Sequence, residues 1–159
     1  MSIERVREYF RGVGIEDRIR EFEVSSATVE LAALALGCEG KRIAKTLSFY
    51  DGDGALLVVC AGDAKVSNSK FKAEFGMKPK MLACDDVERL IGHAVGGVCP
   101  FGVKSGVRVY LDRSLSRFET VFPAAGSSNS AVEMTLPELE RYSCAIDTVD
   151  VCTGWEGEV

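Results

Sequence analysis

The sequence predicts a single α+β domain with a mixed or mainly antiparallel sheet. Its 159 residues are a common length for one domain. Strand-like and helix-like segments are interspersed without a regular strand–helix–strand rhythm, and several strand-like segments are separated only by short loops. We assign residues 1–152 to the domain and predict a loose tail at residues 153–159.

Two helices and one strand are predicted before residue 40. Apolar side chains recur with helical spacing in residues 2–12, and glycines stand at the end of that segment. Residues 20–24 alternate apolar and charged side chains, which is the pattern of a half-buried strand. Residues 28–36 form the second helix, because Thr28 can cap its start and Gly37 can end it.

A β-hairpin follows the second helix. Its predicted strands are residues 45–50 and 55–61, and the sequence Asp-Gly-Asp-Gly at residues 51–54 joins them. The Asp-Gly pairs favour the positive backbone angles that a tight turn requires, so the two strands are expected to pair antiparallel.

The remaining elements are predicted from the same signals. Helices are expected at residues 68–75, 85–91 and 135–142. Asp85 and Glu88 have the spacing of a capping box at the start of the second of these helices, and Thr135 and Glu138 have it at the start of the third. Alternating side chains predict strands at residues 107–111, 120–122, 131–134 and 146–151.

Composition narrows the class of protein. The longest apolar run, residues 55–61, is seven residues long, whereas a membrane span needs about 20. The N-terminal residues carry charges throughout and lack the apolar stretch of a signal peptide. Six cysteines are scattered singly and there is one histidine, so we expect reduced thiols, no metal site and no cofactor. A cytoplasmic protein without a membrane partner is therefore expected.

The charge is unevenly distributed along the chain. The net charge is −5, which argues against a general nucleic-acid coat protein. Within residues 64–80, however, five lysines stand against the single acidic residue Glu74. This basic segment is either a solvated helix surface or a surface that contacts phosphates.

Two glycine-rich loops, residues 96–102 and 124–130, could carry chemistry. Neither has the spacing of a phosphate-binding loop. Residues without bulky side chains let backbone N–H groups approach a ligand oxygen, and such donors can stabilise an oxyanion. The alternative interpretation is a pair of tight turns.

Two side chains are candidates for a direct role. Cys99 follows His93 by six positions, so a thiol nucleophile with a histidine base is one hypothesis. Lys45 opens an apolar strand, where alternation places it on the same face as Leu47 and Phe49. A lysine on a core face is costly unless it serves a partner or a substrate, although at the open end of a strand it could extend to water.

Four motifs carry a resemblance to a known family. They are Arg-Ile-Ala-Lys-Thr-Leu at residues 42–47, Ala-Gly-Asp-Ala-Lys-Val at 61–66, Gly-His-Ala-Val-Gly-Gly-Val-Cys-Pro-Phe-Gly at 92–102, and Ala-Gly-Ser-Ser-Asn-Ser at 125–130. Their order and spacing resemble the YbaK/EbsC family, freestanding relatives of the editing domain inserted in bacterial prolyl-tRNA synthetases. The resemblance extends over about residues 2–151.

The resemblance implies a trans-acting aminoacyl-tRNA deacylase, a hydrolase that cleaves the ester of mischarged tRNA, with tRNA(Pro)-type substrates expected first. It also implies a strongly curved sheet surrounded by helices. The implied partners are the aminoacyl-tRNA acceptor end and prolyl-tRNA synthetase. The implied catalytic residues are Lys45, Gly97, Val98, Cys99 and Gly102. The implied substrate-binding residues are Thr46, Asp63, Lys65, Pro100, Phe101, Gly126, Ser127, Ser128, Asn129 and Ser130.

Two other classes of function remain open from the sequence. One is a non-catalytic module that binds a tRNA acceptor end or a synthetase in the same pocket. The other is the thiol hydrolase that uses Cys99 and His93. The identity of the misacylated amino acid does not follow from the residues, because Cys99 and Thr46 stand at positions that vary within the family.

Overall fold

The structure is a computed structural model that describes residues 2–155. Within this range the α-helices are α1 (Ser2–Val13), α2 (Val29–Leu36), α3 (Asn68–Phe75), α4 (Cys84–Ile91) and α5 (Leu136–Ser143). The strands are β1 (Arg20–Glu21), β2 (Ile43–Asp51), β3 (Gly54–Ala61), β4 (Lys65–Val66), β5 (Arg108–Asp112), β6 (Thr120–Pro123), β7 (Ser130–Ala131), β8 (Met134–Thr135), β9 (Asp147–Val149) and β10 (Cys152–Thr153). None of the helices in residues 2–155 is long and apolar enough to cross a bilayer.

The main sheet has six strands in the order β8-β6-β2-β3-β5-β9. The β2–β3 and β6–β8 pairs are antiparallel, whereas β2–β6, β3–β5 and β5–β9 are parallel. Two small antiparallel pairs, β1–β7 and β4–β10, lie outside this sheet. The sheet is curled and the helices lie around it, so the predicted α+β domain with a curved, mixed sheet is confirmed.

The core is built around β3. Every residue from 55 to 61 is at most 1% exposed, because this strand has neighbours on both edges and side chains packed on both faces. Aromatic rings pack the surrounding helices onto the core: Phe71 of α3 stacks 4.9 Å from Phe49, and Phe10 of α1 meets Phe101 edge-on at 4.9 Å.

The predicted hairpin and several predicted helix ends are confirmed. Asp51 pairs with Gly54, and Gly52 between them has a φ of 61°. The Thr28 hydroxyl accepts the Leu31 N–H at the start of α2. At the start of α5 both hydrogen bonds of the predicted capping box are present.

One predicted capping box is wrong. Helix α4 begins at Cys84 with Ala83 as its N-cap, and no side chain caps it. Asp85 therefore lies inside the first turn of the helix, where it cannot act as a cap. The acidic residue that follows is used differently, because Asp86 accepts hydrogen bonds from Tyr50 and Arg89.

Three predicted strands are shorter than expected because each keeps a strand partner for only two or three residues. Only β1 forms from the segment 20–24, since β7 opposite it is two residues long. The segment 131–134 is split between β7 and β8, which pair with different strands. The segment 146–151 yields only β9, and the Val151 N–H beyond it donates to the carboxylate of Asp112.

The predicted loose tail is wrong at its start. Cys152–Thr153 forms β10 and pairs with β4, and Trp155 is only 8% exposed. The indole ring provides enough apolar area to hold this end of the chain against the domain. Residues 156–159 lie outside the described range.

Candidate functional site

A cavity of about 400 Å³ lies beside the first half of β2. Its other walls are α2 with the residues before it, the segment leading into α4, and parts of both glycine-rich loops. The lining is largely apolar. Its polar side chains are Ser26, Thr28, Lys45, Thr46, Ser48, Cys84 and Ser130.

Lys45 is the charged residue of this cavity. Among the described residues that line it, no other carries an ionised side chain at neutral pH. The half-buried Lys45 ammonium donates a hydrogen bond of 3.3 Å to the carbonyl of Gly62, and no carboxylate within residues 2–155 lies within 4 Å of it. Strand β2 thus presents to an apolar-walled cavity an ammonium group that no carboxylate of the described residues neutralises.

Thr46 adds an unused polar group. Its Oγ1 atom is buried and has no hydrogen-bond partner within the described part of the chain. A buried hydroxyl without a partner costs about 1–3 kcal/mol. Because this atom is buried, a ligand in the cavity reaches it only if the surrounding side chains move.

The two glycine-rich loops pack against each other at the cavity. A Cβ atom at Gly97 would lie 2.5 Å from the carbonyl oxygen of Gly126, so only glycine allows this approach. Gly96 and Val98 line the cavity on either side of this contact. The Gly97 N–H already donates to Ala94, whereas the Val98 N–H makes no hydrogen bond to any residue in the range 2–155.

The rest of the first loop turns away from the cavity. Cys99, Pro100 and Phe101 are buried and are absent from the cavity lining. Gly102 has a φ of 61°, and its carbonyl accepts a hydrogen bond from Arg5 of α1. The structure therefore brings Val98 to the cavity and uses the four following residues to hold the loop on the core.

His93 and Cys99 are in contact, but they form no activated thiol. The Cys99 sulfur lies 3.5 Å from His93 Nε2, which also lies 2.6 Å from the Phe101 carbonyl. Burial raises the pKa of the Cys99 thiol to about 12, and burial also lowers the pKa of His93. Both side chains are inaccessible. A buried neutral pair of this kind argues against the thiol hydrolase hypothesis.

The second loop contributes two residues directly, Ala124 and Ser130. Ser130 is buried and lines the cavity, and its hydroxyl is 2.6 Å from that of Ser127. Asn129 donates through its side chain to the carbonyl of Phe22, and the Ser128 carbonyl accepts from the Ser26 N–H. Ser128 and Asn129 therefore hold the segment before α2, which forms one wall of the cavity.

Asp63 and Lys65 lie outside the cavity lining. Both Asp63 oxygens accept hydrogen bonds from Arg117, at 2.6 and 3.0 Å, and this contact lowers the pKa of the Asp63 carboxyl. Lys65 is exposed in β4. The two residues flank Ala64, and they support the loop that carries the Gly62 carbonyl.

Several cavity residues carry no motif and were not predicted. Ser26, Thr28 and Cys84 contribute polar atoms, and exposed Met81 lies at the cavity wall. One signal was available in the sequence. Every residue of α2 except Glu30 is apolar, and a helix that buries one face needs fewer apolar residues than this.

Comparison with known proteins assigns the family. Residues 23–142 match the family described as the aminoacyl-tRNA editing domain. The chain belongs to this family. It is 50% identical over 157 residues to the uncharacterized protein YwhH of Bacillus subtilis (strain 168), covering 98% of this chain and 100% of that protein. The resemblance inferred from the four motifs is thereby confirmed.

Relatives of this editing-domain protein include larger enzymes and a solved structure. It is 33% identical over 89 residues to a proline–tRNA ligase of Thermosipho melanesiensis, a match that spans 55% of this chain and 16% of the ligase. Its fold superposes with a TM-score of 0.86 on a protein proposed to be a trans-editing enzyme for prolyl-tRNA synthetase. That match has 28% identity and covers 96% of this chain and 98% of the other.

We predict that Gly97→Ala destabilises the protein by about 1–3 kcal/mol, because the added methyl group must displace the backbone of Gly126. Gly12→Ala is the matched control. Its Cβ meets nothing within 4 Å at an exposed helical position, so a gain of about 0.5–1 kcal/mol is expected. Urea unfolding measures both. Equal stability of Gly97→Ala and the wild type would contradict the packing of the two loops.

A second prediction concerns pH. Because burial lowers the pKa of folded His93, the unfolded chain takes up a proton first as the pH falls below the ordinary histidine value of about 6.5. The free energy of unfolding should therefore decrease between pH 6.5 and pH 5, above the range in which carboxyl groups titrate. His93→Gln can still donate to the Phe101 carbonyl and should remove this slope. An unchanged slope in the variant would refute the assignment.

Proposed function

We propose that this protein is a cytoplasmic, trans-acting aminoacyl-tRNA deacylase that hydrolyses the ester of mischarged tRNA, with tRNA(Pro) species as its first expected substrates. One observation carries the proposal. In this editing-domain chain a lysine ammonium lines a cavity, and within residues 2–155 it has no carboxylate partner and shares the cavity with no other charged side chain. The cysteines of the described chain are all free, which supports a reducing compartment.

The cavity suits the reacting end of an aminoacyl-tRNA. Its volume of about 400 Å³ lies in the usual range for small-ligand sites, which is roughly 300–1,000 Å³. The apolar walls accommodate an amino-acid side chain. The Ser130 hydroxyl offers a hydrogen bond to the α-ammonium group or the ribose. Lys45 offers a positive charge to a phosphate of the terminal nucleotide or to the ester carbonyl oxygen.

The reaction needs little covalent chemistry from the protein. A water oxygen bonds to the ester carbonyl carbon, the carbonyl oxygen becomes an oxyanion, and the bond from carbon to the ribose oxygen then breaks. The oxyanion re-forms the carbonyl as the ribose oxygen departs. The proton lost by the water reaches that oxygen by way of the neighbouring ribose hydroxyl, which accepts one proton and gives up another. The neighbouring α-ammonium already activates the ester, so placement and oxyanion stabilisation can supply the rate.

Two groups can stabilise the oxyanion. The Val98 N–H makes no other hydrogen bond among the described residues, and the Lys45 ammonium lies on the same cavity. Gly97, Cys99 and Gly102 contribute by fixing the shape of the loop that carries Val98. Among described lining residues there is no carboxylate and no imidazole, which supports a mechanism assisted by the substrate.

The basic segment provides a surface for the tRNA. Lys65, Lys72, Lys78 and Lys80 are exposed, whereas Lys70 is paired with Asp150. Exposed lysines attract phosphates without sequence preference. We propose that they meet the acceptor end, and that prolyl-tRNA synthetase is the enzyme whose errors are corrected.

Lys45→Ala should lower kcat/KM for hydrolysis of misacylated tRNA by roughly 100- to 1,000-fold, since a desolvated ammonium contributes about 3–4 kcal/mol to transition-state binding. Lys45→Arg should also lower kcat/KM, because a planar guanidinium does not replace a compact ammonium in a confined site. Single-turnover deacylation measures the effect, with circular dichroism as the folding control. Wild-type rates in Lys45→Ala would refute the mechanism. Binding of tRNA without turnover by the wild type would favour the binding module.

Cys99→Ala is the matched variant for the thiol hypothesis. It should keep the deacylation rate within about tenfold of the wild type, because the buried Cys99 thiol contacts only groups of the core, among them His93 and the Phe101 carbonyl. Alkylation with iodoacetamide is a poorer test, since the exposed Cys84 also lines the cavity. Complete loss of activity in folded Cys99→Ala would restore the thiol mechanism.

The double variant Lys65→Ala/Lys72→Ala should raise KM and leave kcat nearly unchanged. Two lost phosphate contacts should also reduce the slope of log KM against log salt concentration by about one to two. Lys104→Ala is the control, because Lys104 lies outside the basic segment and donates to the Arg89 carbonyl. Identical salt dependence in the double variant and the wild type would show that the basic segment is a solvated surface that does not contact tRNA.

A further inference from the structure

The Arg117 cluster lies outside the cavity and consists of Asp63, Arg117, Phe118 and Trp155. The Arg117 guanidinium makes both hydrogen bonds to Asp63, and its Nε donates to the Ser114 carbonyl at 2.9 Å. It also lies 4.7 Å from the ring centre of Phe118 and 5.1 Å from that of Trp155. Arg117 is therefore held by polar partners and by aromatic rings at once.

Trp155 reaches this cluster through the end of the chain. Strand β10 pairs with β4, which begins two residues after Asp63. The indole is almost fully buried, and Arg113 also lies over it, at 5.5 Å. The segment from Gly62 to Val66 is thus held by a strand pair on one side and by the Arg117 ion pair on the other.

The segment carries the hydrogen-bond acceptor of Lys45. The Gly62 carbonyl that accepts from the Lys45 ammonium belongs to the same planar peptide unit as the Asp63 nitrogen. A Cβ at Gly62 would lie 2.1 Å from the Gly40 carbonyl oxygen, so the backbone is also pressed against a neighbour on its other side. Anchoring the Asp63 side chain therefore restricts rotation of the peptide that orients Lys45.

We propose that Arg117 and Trp155 are positioning residues for Lys45, acting through Asp63 and the Gly62 carbonyl. The inference rests on the proposed deacylase function for its kinetic consequence, but the physical link from the Arg117 cluster to Lys45 does not depend on it. Loss of the cluster leaves the ammonium in the cavity and removes its fixed direction. Small misplacements of a catalytic group can cost up to about 100-fold in rate.

The kinetic test compares Arg117→Gln with Arg113→Gln. Both variants remove one positive charge and one contact with Trp155, but only Arg117 binds Asp63. Arg117→Gln should lower single-turnover kcat by about 10- to 100-fold with KM within twofold, and Arg113→Gln should leave both constants within twofold. Trp155→Phe keeps an aromatic face and should retain activity, whereas Trp155→Leu should lose at least fivefold in kcat. If Arg117→Gln does not fold, the two Trp155 variants decide.

A second readout follows Lys45 without using deacylation. Acetic anhydride is applied at low dose, and mass spectrometry gives the acetylation rate of Lys45 relative to exposed Lys72 in the same molecule. This ratio should rise at least threefold in Arg117→Gln and Trp155→Leu and stay constant in Arg113→Gln. An unchanged ratio together with an unchanged kcat would overturn the inference. A changed ratio in a protein that deacylates no tRNA would instead refute the proposed function and uphold the link.

Discussion

The pairing of β2 with β3 is the interaction on which the rest of the structure depends. Strand β3 is buried along its whole apolar length, so it must have strands on both edges and packed side chains on both faces. Strand β2, on one edge, has its far edge against β6 only at Ile43 and Ala44. Beyond that short contact the strand borders the cavity, and Lys45 lies at this point. The burial of β3 thereby fixes the position of β2 beside it, and with β2 the position of Lys45 at the cavity.

The cavity combines the charge of Lys45 with apolar walls, and this combination favours the binding of a ligand oxygen. A charge in apolar surroundings interacts more strongly with a ligand oxygen than the same charge in water does. Such a charge is tolerated only when it keeps some polar contact, which the Gly62 carbonyl provides for Lys45. The site therefore depends on the backbone of a loop that contributes no side chain to the cavity.

Close backbone packing supplies the remaining walls. Gly97 against Gly126 and Gly62 against Gly40 are approaches that any side chain would obstruct. They join loops that are far apart in sequence, and each joint lies next to a cavity residue or to the partner of Lys45. A protein that positions a substrate with backbone groups needs rigid loops, and glycine contacts of this kind provide that rigidity.

The sequence by itself determined the fold class, the hairpin, most helix ends and the prominence of Lys45, because periodicity, caps and turn residues act over a few neighbouring positions. It also carried the family motifs. Tertiary structure decided which motif residues face the cavity: Val98 lines it, whereas Cys99 is buried in the core. It also decided that Asp63 binds Arg117 and that Trp155 is buried. The Asp63–Arg117 contact joins residues 54 positions apart, and the contact of Trp155 with Arg117 also joins distant parts of the chain, so no local pattern in the sequence encodes them.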